Sequence, residues 1–360
     1  MCIRDRSLPV TDAKSLEDYA LAGADIQQIT QLSRQVSKVK TERDIFKGQV
    51  KELEEALDEA ELRSHLLTQL SKADYKPPTW LTKKRKKSTG VVCTILSDTH
   101  FDEVVKPEEI QFRNEYNREI AVKRLEAYFQ KIILLTNDYV TGIDYEGIVL
   151  FLGGDIFSGD IHEELSETNE DTMLASIIFW TEQLSAGINL LAEHFNHVHI
   201  PCVVGNHGRR SRKPRHKLRV KDNFDWFLSK TLEQRFSDND KVTFDVATGA
   251  DLLVDVQDTT YLLTHGDQAK GGGGIGGIWP PLMRMVARKR QNTDFDYMVL
   301  GHFHQLIMAP SSGFLLNGSL KGYDEYASIG NFAFEVPQQA LWINVPGKGV
   351  LWQTALLVDD

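Results

Sequence analysis

Val91-Val92-Cys93-Thr94-Ile95-Leu96-Ser97, followed at once by Asp98-Thr99-His100, is the stretch whose reading decides the fold. A short apolar run bounded by Gly90 and by polar residues is the pattern of a buried strand. It ends in a carboxylate and an imidazole two positions apart. The arrangement recurs along the chain. Residues 148–152 run into Gly153-Gly154-Asp155, and residues 198–204 into Gly205-Asn206-His207. Residues 261–264 close on His265-Gly266-Asp267, and residues 297–300 on Gly301-His302-Phe303-His304. Active crevices of open α/β sheets lie outside the carboxyl ends of the strands. These five strand ends therefore predict one shared site.

Between them, residues 108–138 have helical periodicity through Ile120, Leu125, Phe129, Ile132 and Ile133, which predicts a strand–helix–strand unit. Further helices are expected near 171–195, 224–236 and 280–291, with two or three strands between Val242 and Leu263. After His304 the chain reads as β-rich, with turns near 310–313, 317–318 and 346–349. Alternating strands and helices followed mostly by strands imply a layered α/β sandwich.

The chain has 360 residues, of which 41% are hydrophobic, enough for an ordinary core. No run reaches the roughly 18 apolar residues that span a bilayer, so no membrane partner is expected. The first residues lack a basic segment leading into an apolar one, which argues against a secretory signal. Of the three cysteines, Cys2, Cys93 and Cys202, the last two fall inside expected strands. That usage suits reduced thiols and a cytoplasmic location. A net charge of -10 argues against a generally basic binding protein and draws attention to local clusters.

Residues 1–14 show no period and read as a tail. Within 15–75, Ile29, Leu32, Val36, Val39, Phe46, Val50, Leu53, Leu57, Ala60 and Leu67 recur at spacings of three and four, interrupted only by Arg43 and Ser64. This heptad seam predicts a coiled-coil helix that pairs through residues 29–67 with a second copy or a partner. Pro77-Pro78 ends it, and residues 76–90, with Lys83-Lys84-Arg85-Lys86-Lys87, read as a basic linker before a domain at 91–360.

The strand ends supply Asp98, His100, Asp155, Asn206, His265, His302 and His304. Imidazole with carboxylate suits Mn, Fe, Zn or related divalent ions, and the absence of cysteine argues against a structural zinc knot. Seven ligands exceed the needs of one ion and suit two. Two cations roughly 3.5–4 Å apart can bind a phosphate and activate a bridging water.

In these blocks, taken in this order, the chain resembles the calcineurin-like metallophosphoesterases. The resemblance covers about residues 91–305. It implies two β-sheets flanked by helices, here preceded by the long coiled-coil helix. It further implies that Asp98, His100 and His304 hold one ion, that Asn206, His265 and His302 hold the other, and that Asp155 bridges both. The ions are expected to be Mn2+, with Fe, Zn, Co, Ni or Mg as alternatives. A metal-bridging hydroxide would attack phosphorus, and His207 would face the scissile phosphate and protonate the leaving oxygen. Two departures stand out. Gly208 occupies a position usually acidic in the family, and Ser158 stands where another acid is expected after Asp155. Asp160, His162, Glu163 and Glu164 follow and are candidates for supporting contacts.

Residues 209–221 hold eight Lys or Arg in thirteen positions, beginning beside His207. Arg209, Arg210, Arg212 and Lys213 are the expected substrate contacts, with Arg284, Arg288, Lys289 and Arg290 on the same face. Gly271-Gly272-Gly273-Gly274 with Gly276-Gly277 lacks the Lys-Ser/Thr of a nucleotide loop and reads as a loop beside His265, anchored by Trp279. His194, His197 and His199 carry no motif and read as core or surface residues. Three functions remain open on this reading. The first is a nucleic-acid phosphodiesterase, a repair or phage-type nuclease that can require a partner ATPase and would work in the host cytoplasm if phage-encoded. The second is a phosphomonoesterase acting on phosphoprotein or nucleotide. The third is a non-catalytic coiled-coil adaptor with a structural metal site.

Overall fold

Strand β1 (Thr89–Leu96) is buried on both faces. Val92 and Leu96 point into one cluster, and Val91, Cys93 and Ile95 into another, as the two-residue period of a strand requires. The structure is a computed structural model, and it describes residues 30–35, 37–51, 53–54, 57, 78–82, 89–271 and 277–359. β1 runs parallel to β2 (Asp144–Leu152), which runs parallel to β3 (Val198–Cys202) and then β4 (Val242–Val246). On its other edge β1 pairs antiparallel with β10 (Gln338–Val345), and β10 pairs with β11 (Gly349–Leu357). The second sheet takes β5 (Asp251–Val256), β6 (Thr259–Thr264), β7 (Tyr297–Leu300), β8 (Ile307–Ala309) and β9 (Phe314–Leu316) in the order β5-β6-β7-β9-β8.

Parallel neighbours need crossovers, and helices supply them. Helix α1 (Arg118–Leu134) links β1 to β2, α2 (Met173–His194) links β2 to β3, and α3 (Phe224–Arg235) links β3 to β4. Leu125, Phe129 and Ile132 of α1, Trp180, Leu184 and Ile188 of α2, and Leu228 and Leu232 of α3 pack on the first sheet. Between the sheets lie Phe151, Val203, Tyr261, Leu263, Val299 and Trp342. Helix α4 (Trp279–Arg290) sets Leu282, Met285 and Val286 on the outer face of the second sheet. The layers are thus helix, sheet, sheet, helix.

The expected helix at 108–138 is shorter at its start. Residues Pro107–Ile110 form one 3-10 turn, and Gln111 and Phe112 then take left-handed backbone with φ of 60° and 58°, which no helix continues through. α1 begins only where Asn117 caps it, its side chain accepting from the Ile120 N–H. The one-turn helix Thr79–Thr82, inside the stretch expected as linker, sends Leu81 fully into the inter-sheet core, and its carbonyl accepts from Gln257 N at 2.7 Å. A short helix, Glu325–Ile329, interrupts the C-terminal strands.

The chain separates into two units, the second being Lys76–Asp360. In the first, the described residues 30–57 are helical, and Leu32, Val39, Phe46, Val50, Leu53 and Leu57 of the heptad seam are exposed. Ile29, Val36, Ala60 and Leu67, together with the tail 1–14 and the basic run 83–87, lie outside the described residues. No helix among the described residues is long and apolar enough to cross a membrane. Cys93 and Cys202 are buried and free, and burial pushes both thiols up.

His199 on β3 is buried, with Nδ1 2.9 Å from Oγ1 of Thr243, its register partner on β4. Burial brings its pKa down to about 4. A base depressed on folding adds stability above its unfolded pKa and loses it as pH falls toward the folded value. Relative to His199→Phe, the parent should therefore lose about 3 kcal/mol of unfolding free energy between roughly pH 6.5 and 4. Parallel denaturant titrations of both proteins check the difference, and equal slopes would refute it.

Candidate metal centre

Three of the five candidate ligand-bearing turns, those at 98–100, 153–155 and 301–304, place L-residues in left-handed backbone. Asp98, His100, Asp155, His302 and His304 have φ of 52°, 45°, 49°, 73° and 54°. Such conformations cost about 1–3 kcal/mol each and persist only where neighbours hold them. Here the turns hold one another. Asp98 N donates to Gly154 O at 3.1 Å, His100 N to Asp155 O at 3.2 Å, and Gly301 N to His265 O at 2.9 Å.

The side chains converge as a result. Asp98 accepts from Ser97 Oγ at 2.5 Å and from His302 N at 2.9 Å, and its Oδ1 lies 3.5 Å from His304 Nε2. His304 Nε2 is in turn 3.2 Å from His100 Nε2. Asp155 accepts from His207 N at 2.6 Å and lies 2.9 Å from His265 Nε2, which is 3.2 Å from Asn206 Oδ1. Three overlapping donor sets form, each with ligand atoms within 4.8 Å: Asp98, His100 and His304; Asp155, His265 and His302; and His100, Asp155 and His207. Asp155 belongs to two of them. All seven expected ligands and His207 meet at one rim.

These residues fit a pair of divalent cations. Metal-binding imidazoles usually give their outer nitrogen to a carboxylate or carbonyl and turn the other inward. His265 Nδ1 lies 2.9 Å from Gly153 O, His207 Nδ1 3.0 Å from Ser158 O, and His100 Nδ1 3.2 Å from Glu103 Oε2. Each Nε2 is thereby left facing the centre. Electrostatics agree. Burial disfavours the His265 imidazolium, yet Asp155 and Asp98 outweigh it and raise its pKa to about 10. Burial and the nearby His265 charge bring His302 down to about 4, and burial with the Lys321 charge does the same to His100. The carboxylates demand positive charge, while two of the imidazoles stay neutral and free to bind it.

Two supports of the centre carry no sequence motif. Asp225 on α3 is buried and accepts from the backbone N–H groups of Gly205 at 2.9 Å, Asp155 at 3.0 Å and Ile156 at 3.3 Å. It ties the second and third turns together. Burial first, then the Asp155 charge, pushes its carboxyl up to about 6. A Cβ on Gly208 would lie 2.4 Å from Asn223 Oδ1 and 3.0 Å from the Asp225 carboxyl. The volume that an acid at 208 would occupy is thus filled by one from position 225. In sequence Asp225 is an acid in the first turn of a helix, a placement with no local sign of its remote partners. Glu103 is the other support: it meets His100, accepts from Ser158 Oγ at 3.3 Å and pairs with buried Lys321 at 2.7 Å, which also contacts Asp324. Burial opposes its charge, but Lys321 and His100 hold its pKa well down.

The basic segment divides. Arg209 turns back on its own loop, donating to the carbonyls of Asn206, Ser211 and Arg212 at 2.6, 3.0 and 3.1 Å. Arg210 pairs with Asp222 at 3.3 Å, Arg212 with Glu163 at 3.0 Å, and Arg219 bidentately with Asp267 at 2.7 Å. Lys213, Arg215, Lys217 and Lys221 are exposed and carry no ion pair among the described residues. Lys289 pairs with Asp251, and Arg290 donates to Asp296 O at 2.8 Å. The His162 ring lies 5.9 Å from that of His207. Trp279 rests edge-on against Phe314 at 5.2 Å, and glycines 272–274 and 276 lie outside the described residues.

No protein-family model matches the chain, and no curated protein matches it. Solved structures do. Vps29 from Entamoeba histolytica is 13% identical, with 73% of this chain and 97% of that one covered and a TM-score of 0.30. A Streptococcus pneumoniae protein, described as a phosphoesterase by prediction, is 13% identical over 72% of this chain and 84% of its own, with a TM-score of 0.28. A Staphylococcus aureus protein described as a 5'-nucleotidase is 10% identical over 76% of this chain and 55% of its own, with a TM-score of 0.33. At this level of superposition, the reading of the site rests on its own geometry. The two sheets flanked by helices, with the candidate ligand-bearing turns at one rim, are the architecture that the sequence led us to expect.

A Cβ on Gly301 would lie 2.1 Å from Asp98 Oδ2 and 2.5 Å from Ser97 Oγ. Gly301→Ala should therefore weaken divalent-cation binding by about tenfold or more, read by calorimetry, while far-UV circular dichroism is kept; unchanged affinity would remove Asp98 from the candidate ligand set. Asp225→Ala leaves three buried N–H groups unsatisfied, at about 1–3 kcal/mol each, and should lower the unfolding midpoint of metal-free protein.

Proposed function

We propose that this protein is a metal-dependent phosphoesterase, most simply a phosphodiesterase acting on nucleic acid. The observation that carries the reading is the sharing of Asp155 and His100 among three adjacent donor sets, which makes room for two neighbouring cations rather than one. Asp98, His100 and His304 would hold the first, Asn206, His265 and His302 the second, with Asp155 between. Two such ions supply Lewis acidity to a phosphate ester and lower the pKa of water. The chain's own groups do the rest. His207, held through Nδ1 by Ser158 O, turns Nε2 toward the centre and can pass a proton to a leaving oxygen. Asp225 and Glu103 keep the turns and His100 in register.

Support for a polyanion comes from Lys213, Arg215, Lys217 and Lys221, exposed on the loop that Arg209 braces beside Asn206. Cations without carboxylate partners are free to displace counterions from phosphates. Support for self-association comes from the exposed seam of the N-terminal helix. Mn2+ is the proposed ion, and a partner ATPase and a cytoplasmic setting are part of the same reading.

With Mn2+ supplied, the protein should cleave bis-p-nitrophenyl phosphate in preference to the monoester, and chelation should abolish the activity. His207→Ala should reduce kcat by about two to four orders of magnitude with metal content unchanged. Preference for the monoester would turn the reading toward phosphoprotein or nucleotide, and inactivity with every ion toward an adaptor. Changing Lys213, Arg215, Lys217 and Lys221 to Ala should flatten the slope of log affinity for DNA against log salt by about 3. An unaltered slope would defeat the nucleic-acid reading. Light scattering should give a dimer that becomes a monomer when residues 1–75 are removed.

A further inference from the structure

The chemistry above leaves unused an exposed aromatic surface on the segment between β9 and β10. Between β9 and β10, Tyr326, Ile329, Phe332 and Phe334 are 77%, 88%, 47% and 46% exposed. The rings gather rather than scatter. Tyr326 and Phe332 are 5.8 Å apart, and Phe334 is 5.6 Å from Tyr323, over which the Arg113 guanidinium sits at 5.7 Å. Exposed aromatic groups of this extent mark a contact surface.

Both ends of the segment are tied to ligand turns. At one end Asp324 contacts Lys321, which pairs with Glu103, and Glu103 lies 3.2 Å from His100. At the other end Glu335 accepts from Leu306 N at 2.9 Å, two residues beyond His304. The segment that carries the rings is therefore anchored at both ends to the His100 and His304 half of the centre. The basic loop borders the other half, through Arg209 on Asn206 O and Arg219 on Asp267.

We propose that unpaired nucleobases stack on Tyr326 and Phe332 while the attached phosphodiester reaches the metal centre, so that the preferred substrate is single-stranded nucleic acid. This rests on the phosphodiesterase reading and narrows it. A ring shelf on one side of a phosphate site, with unpaired cations on the other, matches a strand that presents a flat face and a charge in every nucleotide. A duplex turns its base faces inward and offers only the charge. Stacking is sequence-tolerant, because every base has a π-face.

The test uses the full chain with Mn2+, an oligothymidylate, and an abasic strand of equal length and charge. Tyr326→Ala with Phe332→Ala should raise KM for oligothymidylate about tenfold, leaving kcat and the abasic strand untouched. The variant that retains rings, Tyr326→Phe with Phe332→Tyr, should behave as the parent. Equal effects on both strands, or none on either, would overturn the proposal. So would a halved mass of the double-Ala protein by light scattering, which would make the shelf a contact between copies. If the parent cleaves neither strand, the nucleic-acid reading fails with it, a result distinct from cleavage without base dependence.

Discussion

Two buried carboxylates, Asp98 and Asp155, set the terms for the rest of this molecule. Taking a carboxylate out of water is costly unless it is paired or hydrogen-bonded. Each is met by backbone N–H groups and imidazoles delivered from distant parts of the chain, His302 and His304 for one, His207 and His265 for the other. His265 is drawn toward its charged form by the same field. Divalent ions satisfy that demand more completely than a proton does, which is why the centre reads as a metal site rather than a polar core.

The fold bears the cost of this arrangement in strain and in a second ring of buried charge. Five candidate ligands sit in left-handed backbone, and their turns are held by hydrogen bonds between turns and by Asp225 beneath them. Glu103, Lys321 and Asp324 form a buried ion network behind His100. Such a network contributes little net stability, but removing one member strands the others. Its use here is orientation: it points one imidazole inward and ties the aromatic segment to the same turn.

The sandwich provides the rigidity on which such tolerances depend. Parallel strands buried on both faces stop at one rim, and helices close the outer surfaces. Loops then bring different chemistry toward the two halves of the centre: cations near Asn206, and a ring-bearing segment whose ends are tied to Leu306 and, through Lys321 and Glu103, to His100.

Much of this was legible in the chain alone. Apolar runs such as residues 91–97 and 148–152 announce strands, and Asp98, His100, Asp155, Asn206, His207, His265, His302 and His304 all stand within a few residues of a strand end, so a local pattern sufficed to collect them. What sequence periodicity cannot carry is contact between residues far apart. The pairing of Asp225 with two remote turns, the buried link from Lys321 to His100, and the folding back of Arg209 onto its own carbonyls depend on side-chain direction in three dimensions. Composition made residues 209–221 look uniformly available, yet intramolecular pairing engages Arg209, Arg210, Arg212 and Arg219 and leaves the lysines with Arg215. Local spacing determines which chemistry is present; packing alone decides which groups remain free to perform it.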